Sequence, residues 1–184
     1  MKRIVSAALV AGALLAASPF TFAADVMVGG QAMMASRDIV DNAVNSADHT
    51  TLVAAVKAAG LVDTLKGKGP FTVFAPTNAA FGKLPAGTVD TLVKPESKAA
   101  LSKILTYHVV AGRYDFMALS NAIKKGGGKA ELATVAGGKL SFMMNGMHNI
   151  AIIDEMGGRA SISTYDVYQS NGVINVVDSV LMPK

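Results

Sequence analysis

No cysteine occurs among the 184 residues, so the chain forms no disulfide and carries no lipobox cysteine for lipid attachment. The marks of catalysis are missing too. There is no Gly-x-Ser-x-Gly elbow to give a histidine its serine partner. His49, His108 and His148 lie far apart, without the spacing of metal ligands. Gly126-Gly127-Gly128-Lys129 resembles a phosphate loop only superficially, because Ala130 stands where Ser or Thr is needed and the leading glycine is absent. These absences exclude the common hydrolase and nucleotide-binding patterns and point to a non-enzymatic protein without a cofactor. Beyond the first residues, no apolar stretch is long enough to span a bilayer.

What is present begins with an export signal. Lys2 and Arg3 form a charged start, Ile4 to Ala17 a short apolar core, and Thr21-Phe22-Ala23 a small-residue cleavage site. This predicts a signal peptide over residues 1–23 and a mature protein in the periplasm or the medium. The 184 residues less these 23 suffice for one domain with its own core. Of 17 basic residues, Lys2 and Arg3 leave with the signal, against 13 acidic ones that stay. A remainder so close to neutral gives no footprint for nucleic acid or for an anionic membrane.

Residues 24–37, with Gly29-Gly30 and three methionines, show no period and read as a flexible lead-in. From Asp38 the pattern is helical. Asp38 caps a segment with Ile39, Val40, Ala43 and Val44 inward, and Thr50 or Thr51 caps a second with Leu52, Val53, Val56 and Ala59, closed by Gly60. Phe71 to Ala75 reads as a buried strand that Pro76 ends. Thr77 or Asn78 then caps a helix whose Phe81 points inward. A helix through Leu101, Ile104 and Leu105 ends near Thr106, Tyr107 to Val110 reads as strand, and Asp115 to Lys125 is helical again. The second half consists of short strand-like runs, 131–135, 139–144, 149–153, 160–163 and 173–177, separated by Gly-Gly and Asn-Gly pairs that supply positive φ for tight turns. The pattern predicts a single α+β domain over residues 38–183, a helical N-terminal half packed on a strand-rich C-terminal half.

Three ordered stretches carry a resemblance: Phe71-Thr72-Val73-Phe74-Ala75-Pro76-Thr77-Asn78-Ala79-Ala80-Phe81, Leu105-Thr106-Tyr107-His108-Val109-Val110, and Asn171-Gly172-Val173-Ile174-Asn175-Val176-Val177-Asp178. Together they resemble the fasciclin domain family, from about Asp38 to Pro183. The resemblance implies an extracellular adhesion or matrix module without enzymatic activity. Its partner would be polysaccharide or an envelope protein.

Within that frame several residues stand out. The Tyr-His pair that Tyr107 and His108 match is linked in the family both to structural integrity and to adhesion. Some animal relatives bind integrins through Asn-Lys-Asp-Ile-Leu, and here the position reads Thr164-Tyr165-Asp166-Val167-Tyr168. Asp166 alone is kept, and a lone aspartate also caps turns. Tyr165 and Tyr168 beside it have the flat face and polar tip that suit sugar or protein surfaces. Asn175 replaces a histidine common in the family, and Asn78-Ala79 an acidic pair that would favour a helix dipole.

Two further clusters lie outside the resemblance. Met143, Met144, Met147 and His148 set three thioethers and an imidazole around a tight turn, a soft donor set that suits Cu(I), although methionine equally fills cores. Lys124, Lys125, Lys129 and Lys139, with Arg113, would make a basic patch or a solvated face. A carrier of a small apolar ligand or Cu(I), and a structural envelope protein without a ligand, are the alternatives to adhesion.

Overall fold

A computed structural model of the chain describes residues 26–184, and the expected signal peptide lies outside them. Strands β1 (Val26–Val28) and β2 (Gln31–Met33) pair as a hairpin through Gly29 and Gly30, both at positive φ, as a two-residue turn of the primed type demands. Gly29 is also a point of close approach, since a Cβ there would lie 2.7 Å from the Asp48 nitrogen. The expected flexible lead-in is corrected for these residues. Alternation across the hairpin buries Val28 and Met33 in the core, and the buried Asn42 fastens its exit. Asn42 Oδ1 accepts from Met34 N at 3.1 Å, and its Nδ2 donates to Met34 O at 2.8 Å.

The helical layer follows. Asp38 caps α1 (Ile39–Asn45), accepting from Asp41 N at 2.8 Å. Val44, expected inward, lies on the surface. After a 3₁₀ turn comes α2 (Thr50–Ala59), which Gly60 closes in the left-handed region. Neither Thr50 nor Thr51 caps it. Instead Asn78 Oδ1 accepts from Thr51 N at 3.0 Å, so the residue that replaces a family carboxylate serves a helix it does not belong to. Then come α3 (Val62–Leu65), β3 (Phe71–Pro76), α4 (Asn78–Gly82) under its Thr77 cap, α5 (Thr88–Leu92) and α6 (Lys98–Tyr107). Helix α6 runs on through Tyr107, and β4 (Val109–Ala111) starts only after His108.

Helix α7 (Phe116–Lys125) separates β4 from five strands: β5 (Lys129–Ala133), β6 (Lys139–Met144), β7 (Ile150–Ile153), β8 (Arg159–Gln169) and β9 (Gly172–Val177). They join β3 and β4 in one sheet of order β4-β3-β9-β8-β7-β6-β5, parallel only between β3 and β9. The two outer strands then meet. Val110 bridges Thr134, and Val135 N donates to Val109 O at 2.8 Å. The sheet thus curls upon itself.

Two cores result. Val73, Ala75, Ile174 and Val176 face α1, α2 and α6, whereas Phe74 and Val177 face the inside of the curl with Phe142, Leu140, Ile150, Ile152 and α7's Leu119 and Ile123. Successive β3 side chains alternate between the two cores, because a strand's side chains point to opposite faces. Phe74 is fully buried, its ring centroid 5.3 Å from that of Phe142. Phe74→Ala is expected to cost about 3–5 kcal/mol, removing both transfer energy and packing. Urea unfolding checks this, and a loss below about 1 kcal/mol would mean that the curl does not depend on this ring.

Candidate functional site

Tyr107 and His108 lie inside the protein, with exposures of 0% and 2%. The Tyr107 hydroxyl donates to Lys139 O at 2.8 Å and accepts from Glu155 N at 3.0 Å, bridging the start of β6 to the turn after β7. His108 Nε2 accepts from Leu181 N at 3.0 Å, so the ring proton sits on Nδ1 and goes to Ile104 O at 2.9 Å. Beside it Asp154 Oδ2 accepts from Met182 N at 2.9 Å. Burial pushes the imidazole down to about 4, against the smaller opposing pull of the Ile104 carbonyl and the Asp154 charge. The pair offers no surface to a partner. It ties the C-terminal tail and a hairpin to the end of α6.

Asp166, expected in a loop, lies within β8, where two register shifts interrupt the pairing with β9. It is the one non-glycine described residue with positive φ, at 58°, a conformation aspartate tolerates better than most. Its Oδ1 accepts from Phe116 N at 2.7 Å, while Asp115 Oδ1 accepts from Ala118 N at 2.8 Å. Two carboxylates thus serve the first turn of α7, where the helix dipole favours them. Burial raises the Asp166 pKa, the Phe116 bond opposes it, and the Asp115 charge adds to it. The bulge is held from below by Asn175, fully buried, whose Oδ1 accepts from Asp166 N at 3.2 Å and whose Nδ2 donates to Tyr114 O at 3.2 Å. An amide thus fills the position where the family commonly has histidine, and it does not titrate.

The two tyrosines divide. Tyr165 turns inward, edge-on to Phe116, and its hydroxyl accepts from Ile150 N at 2.7 Å. Tyr168 is 40% exposed. The Arg113 guanidinium stands 5.9 Å from its ring centroid, within cation–π range, and its hydroxyl donates to Asp115 Oδ2 at 3.3 Å. Of the five adhesion candidates, only Tyr168 presents a broad face to solvent.

Next to it runs an open groove of about 710 Å³, lined by Lys66, Lys68, Arg113, Ser170 and Asn171, with Asp38 on its wall. Asn171 makes its floor rigid, accepting from Ile39 N at 3.1 Å and donating to Leu65 O at 2.8 Å and Gly67 O at 3.1 Å. Sequence reasoning missed this groove. Its walls come together only because β3 pairs in parallel with β9, Phe71 opposite Gly172. The one local sign was glycines spaced between lysines at Lys66-Gly67-Lys68-Gly69.

The remaining candidates separate. Met143 and Met147 are exposed, while Met144 packs against the inner core. Among the described residues no group of three or more His, Asp or Glu could hold a metal ion. Lys129 and Lys139 both reach Glu131, at 2.8 and 3.8 Å, and Arg113 stands at the opposite end of α7 from Lys124 and Lys125, so the expected patch does not form around it. An apolar cavity between the helical layer and the sheet, lined in part by His49, Val56, Ile174 and Val109, has a volume of about 50 Å³. That is room for a few waters and well below the ~150 Å³ that admits benzene. None of the described helices is long and apolar enough to cross a membrane.

A family model described as the fasciclin domain matches residues 47–183. The chain is 45% identical over 146 residues to protein sll1483 of Synechocystis sp., covering 79% of this chain and 73% of that protein. It is 39% identical over 160 residues to the cell surface glycolipoprotein MPB83 of Mycobacterium bovis, covering 84% of this chain and 64% of the relative. Among solved structures, a FAS1 domain pair from the insect cell adhesion molecule Fasciclin I aligns with a TM-score of 0.70 at 19% identity, over 79% of this chain and 51% of that one. At that identity the likeness is one of fold.

The buried His108 makes stability depend on pH. Its neutral form is favoured on folding, so this contribution is whole above the ordinary histidine pKa of 6.5 and is lost as pH falls toward about 4. The loss amounts to roughly 3 kcal/mol. Burial also lowers the pKa of His49 and adds in the same direction. Urea unfolding between these pH values is expected to show the slope, flattened in His108→Gln. An unchanged slope in that variant would remove His108 as its source.

Proposed function

The chain belongs to the fasciclin domain family, and from that premise we propose that it is an exported, non-catalytic module that binds polysaccharide or an envelope protein and so mediates adhesion at the cell surface or in the matrix. Support for the location comes from the name of one relative, a cell surface glycolipoprotein. The chain spans 64% of the glycolipoprotein, so what that protein does as a whole enters here only as part of the proposal.

The observation that carries the reading is the 40% exposed Tyr168, whose ring lies beside Arg113 of the groove's lining. A ring whose edge is held by Asp115 and whose face is near Arg113 is already fixed in one orientation. It therefore loses little rotamer freedom when a ligand settles against it. The floor beneath is equally preformed, because Asn171 uses both of its side-chain polar atoms on backbone groups of three other residues. Pockets of this size, largely formed in advance, are where proteins hold small ligands and polymer segments. Asp166 contributes by holding α7 in place. The carrier alternative would need the inner cavity to widen severalfold, and the thioether turn has no observed geometry to support it.

Equilibrium binding of the purified chain to a panel of envelope polysaccharides and extracted envelope proteins tests the proposal. The native protein is expected to bind saturably, and Tyr168→Ala to bind roughly tenfold or more weakly, a loss near 1.4 kcal/mol. Its unfolding midpoint should scarcely move, because the exposed hydroxyl bond is worth little. Native protein that binds nothing on the panel would sink the proposal, and undiminished binding by Tyr168→Ala would move the site elsewhere.

A further inference from the structure

We propose that the groove selects an anionic ligand: a polysaccharide carrying carboxylate or sulfate groups, bound by Lys68 and Arg113 with Tyr168 as the flat contact beside them. This rests on the binding reading above and narrows it to one chemistry.

The argument is an inventory of charge around the groove. Every carboxylate there is already engaged. Asp38 Oδ1 accepts from Asp41 N at 2.8 Å and its Oδ2 lies 3.5 Å from Lys66 Nζ, while Asp41 takes the same ammonium at 2.6 Å. Asp115 divides its oxygens between Ala118 N and the Tyr168 hydroxyl, and Asp166 holds Phe116 N. Lys66 is thereby committed to its own acids. Lys68 and Arg113 are not: both are exposed, and neither has a carboxylate within 4 Å among the described residues. Arg113 makes one long bond, to Gln169 O at 3.4 Å, which leaves most of its guanidinium donors unused.

A neutral sugar would meet these cations without using them. An anionic one would make charge-assisted hydrogen bonds, roughly twice as strong as neutral ones. Its acid group would bridge Lys68 and Arg113 across the groove, and the exposed Ser170 hydroxyl offers a further donor. Lys68 makes no described side-chain bond, so its ammonium is available to a ligand. The Asn171 floor holds the backbone at Leu65 and Gly67, just before Lys68, so the lysine is presented from an ordered loop. A flexible basic tail would lack that property.

The test compares polygalacturonate, dextran sulfate and neutral dextran, each with the native chain at about 50 and about 300 mM NaCl, since exposed charges are screened over this range. The expected result is binding to one or both polyanions, none to dextran, and a fall of roughly tenfold or more at the higher salt. The choice between polygalacturonate and dextran sulfate identifies the acid group. Lys68→Glu, which breaks no described bond, should abolish it with an unchanged unfolding midpoint, and Arg113→Gln should weaken it. Lys124→Ala with Lys125→Ala, at the far end of α7, should leave it intact. Salt-insensitive binding to dextran, lost in Tyr168→Ala, would overturn the anionic inference and leave the binding reading standing. Polyanion binding that survives Lys68→Glu but not the Lys124/Lys125 change would overturn the groove. No binding to any of the three overturns this inference, and the envelope panel then decides the broader reading separately.

Discussion

The parallel pairing of β3 with β9 is the contact on which everything else rests. It joins strands on either side of the long excursion over residues 77–171, and both strands are buried on both faces. A strand so placed has no solvent to satisfy its side chains, so any polar group it carries must be matched within the protein. Asn175 meets that condition in the middle of β9, holding the β8 bulge and the Tyr114 carbonyl at once. Asn171, just before the strand, does the same for the start of α1 and the loop ahead of β3. The two amides convert a sheet pairing into a fixed relation between loops, and the groove is one product of that relation.

A second buried network, around Tyr107 and His108, explains how one sequence motif can be tied to both integrity and adhesion. The pair touches the start of β6, the turn after β7 and the C-terminal tail, yet exposes almost nothing. Changing either residue frees segments that themselves reach the surface. Binding could then fail without any binding residue having been altered. Tyr168 and Lys68 are free of that ambiguity, since their bonds to the rest of the fold are few and peripheral.

The element order was legible because its signals are local: Asp38 and Thr77 do cap the helices they precede, and the Gly-Gly and Asn-Gly pairs do separate strands. The α+β class follows from the same short-range periods. What was hidden required partners distant in sequence. Asn78 reads as a cap for its own helix and instead caps α2, a relation fixed only once α4 docks. The full length of β8 was invisible because two register shifts reset its alternation, so residues around Asp166 looked like loop. The 26–33 hairpin escaped notice because three residues are too few to display a period. The groove was hidden for the plainest reason: Lys68 and Ser170 belong to segments whose neighbours in space are set by β3 and β9.

The meeting of β4 with the residues that follow β5 has a consequence for contacts between copies of this chain. Open sheet edges invite pairing with other chains, and crowded display on a surface multiplies the encounters. Here β4 spends hydrogen-bonding groups on the residues just after β5, at Val110 with Thr134 and at Val109 with Val135. That stretch of β4 is thereby closed to a strand from another copy. Contacts between copies at that point are left to side chains, and so to a surface chemistry that the surroundings can tune.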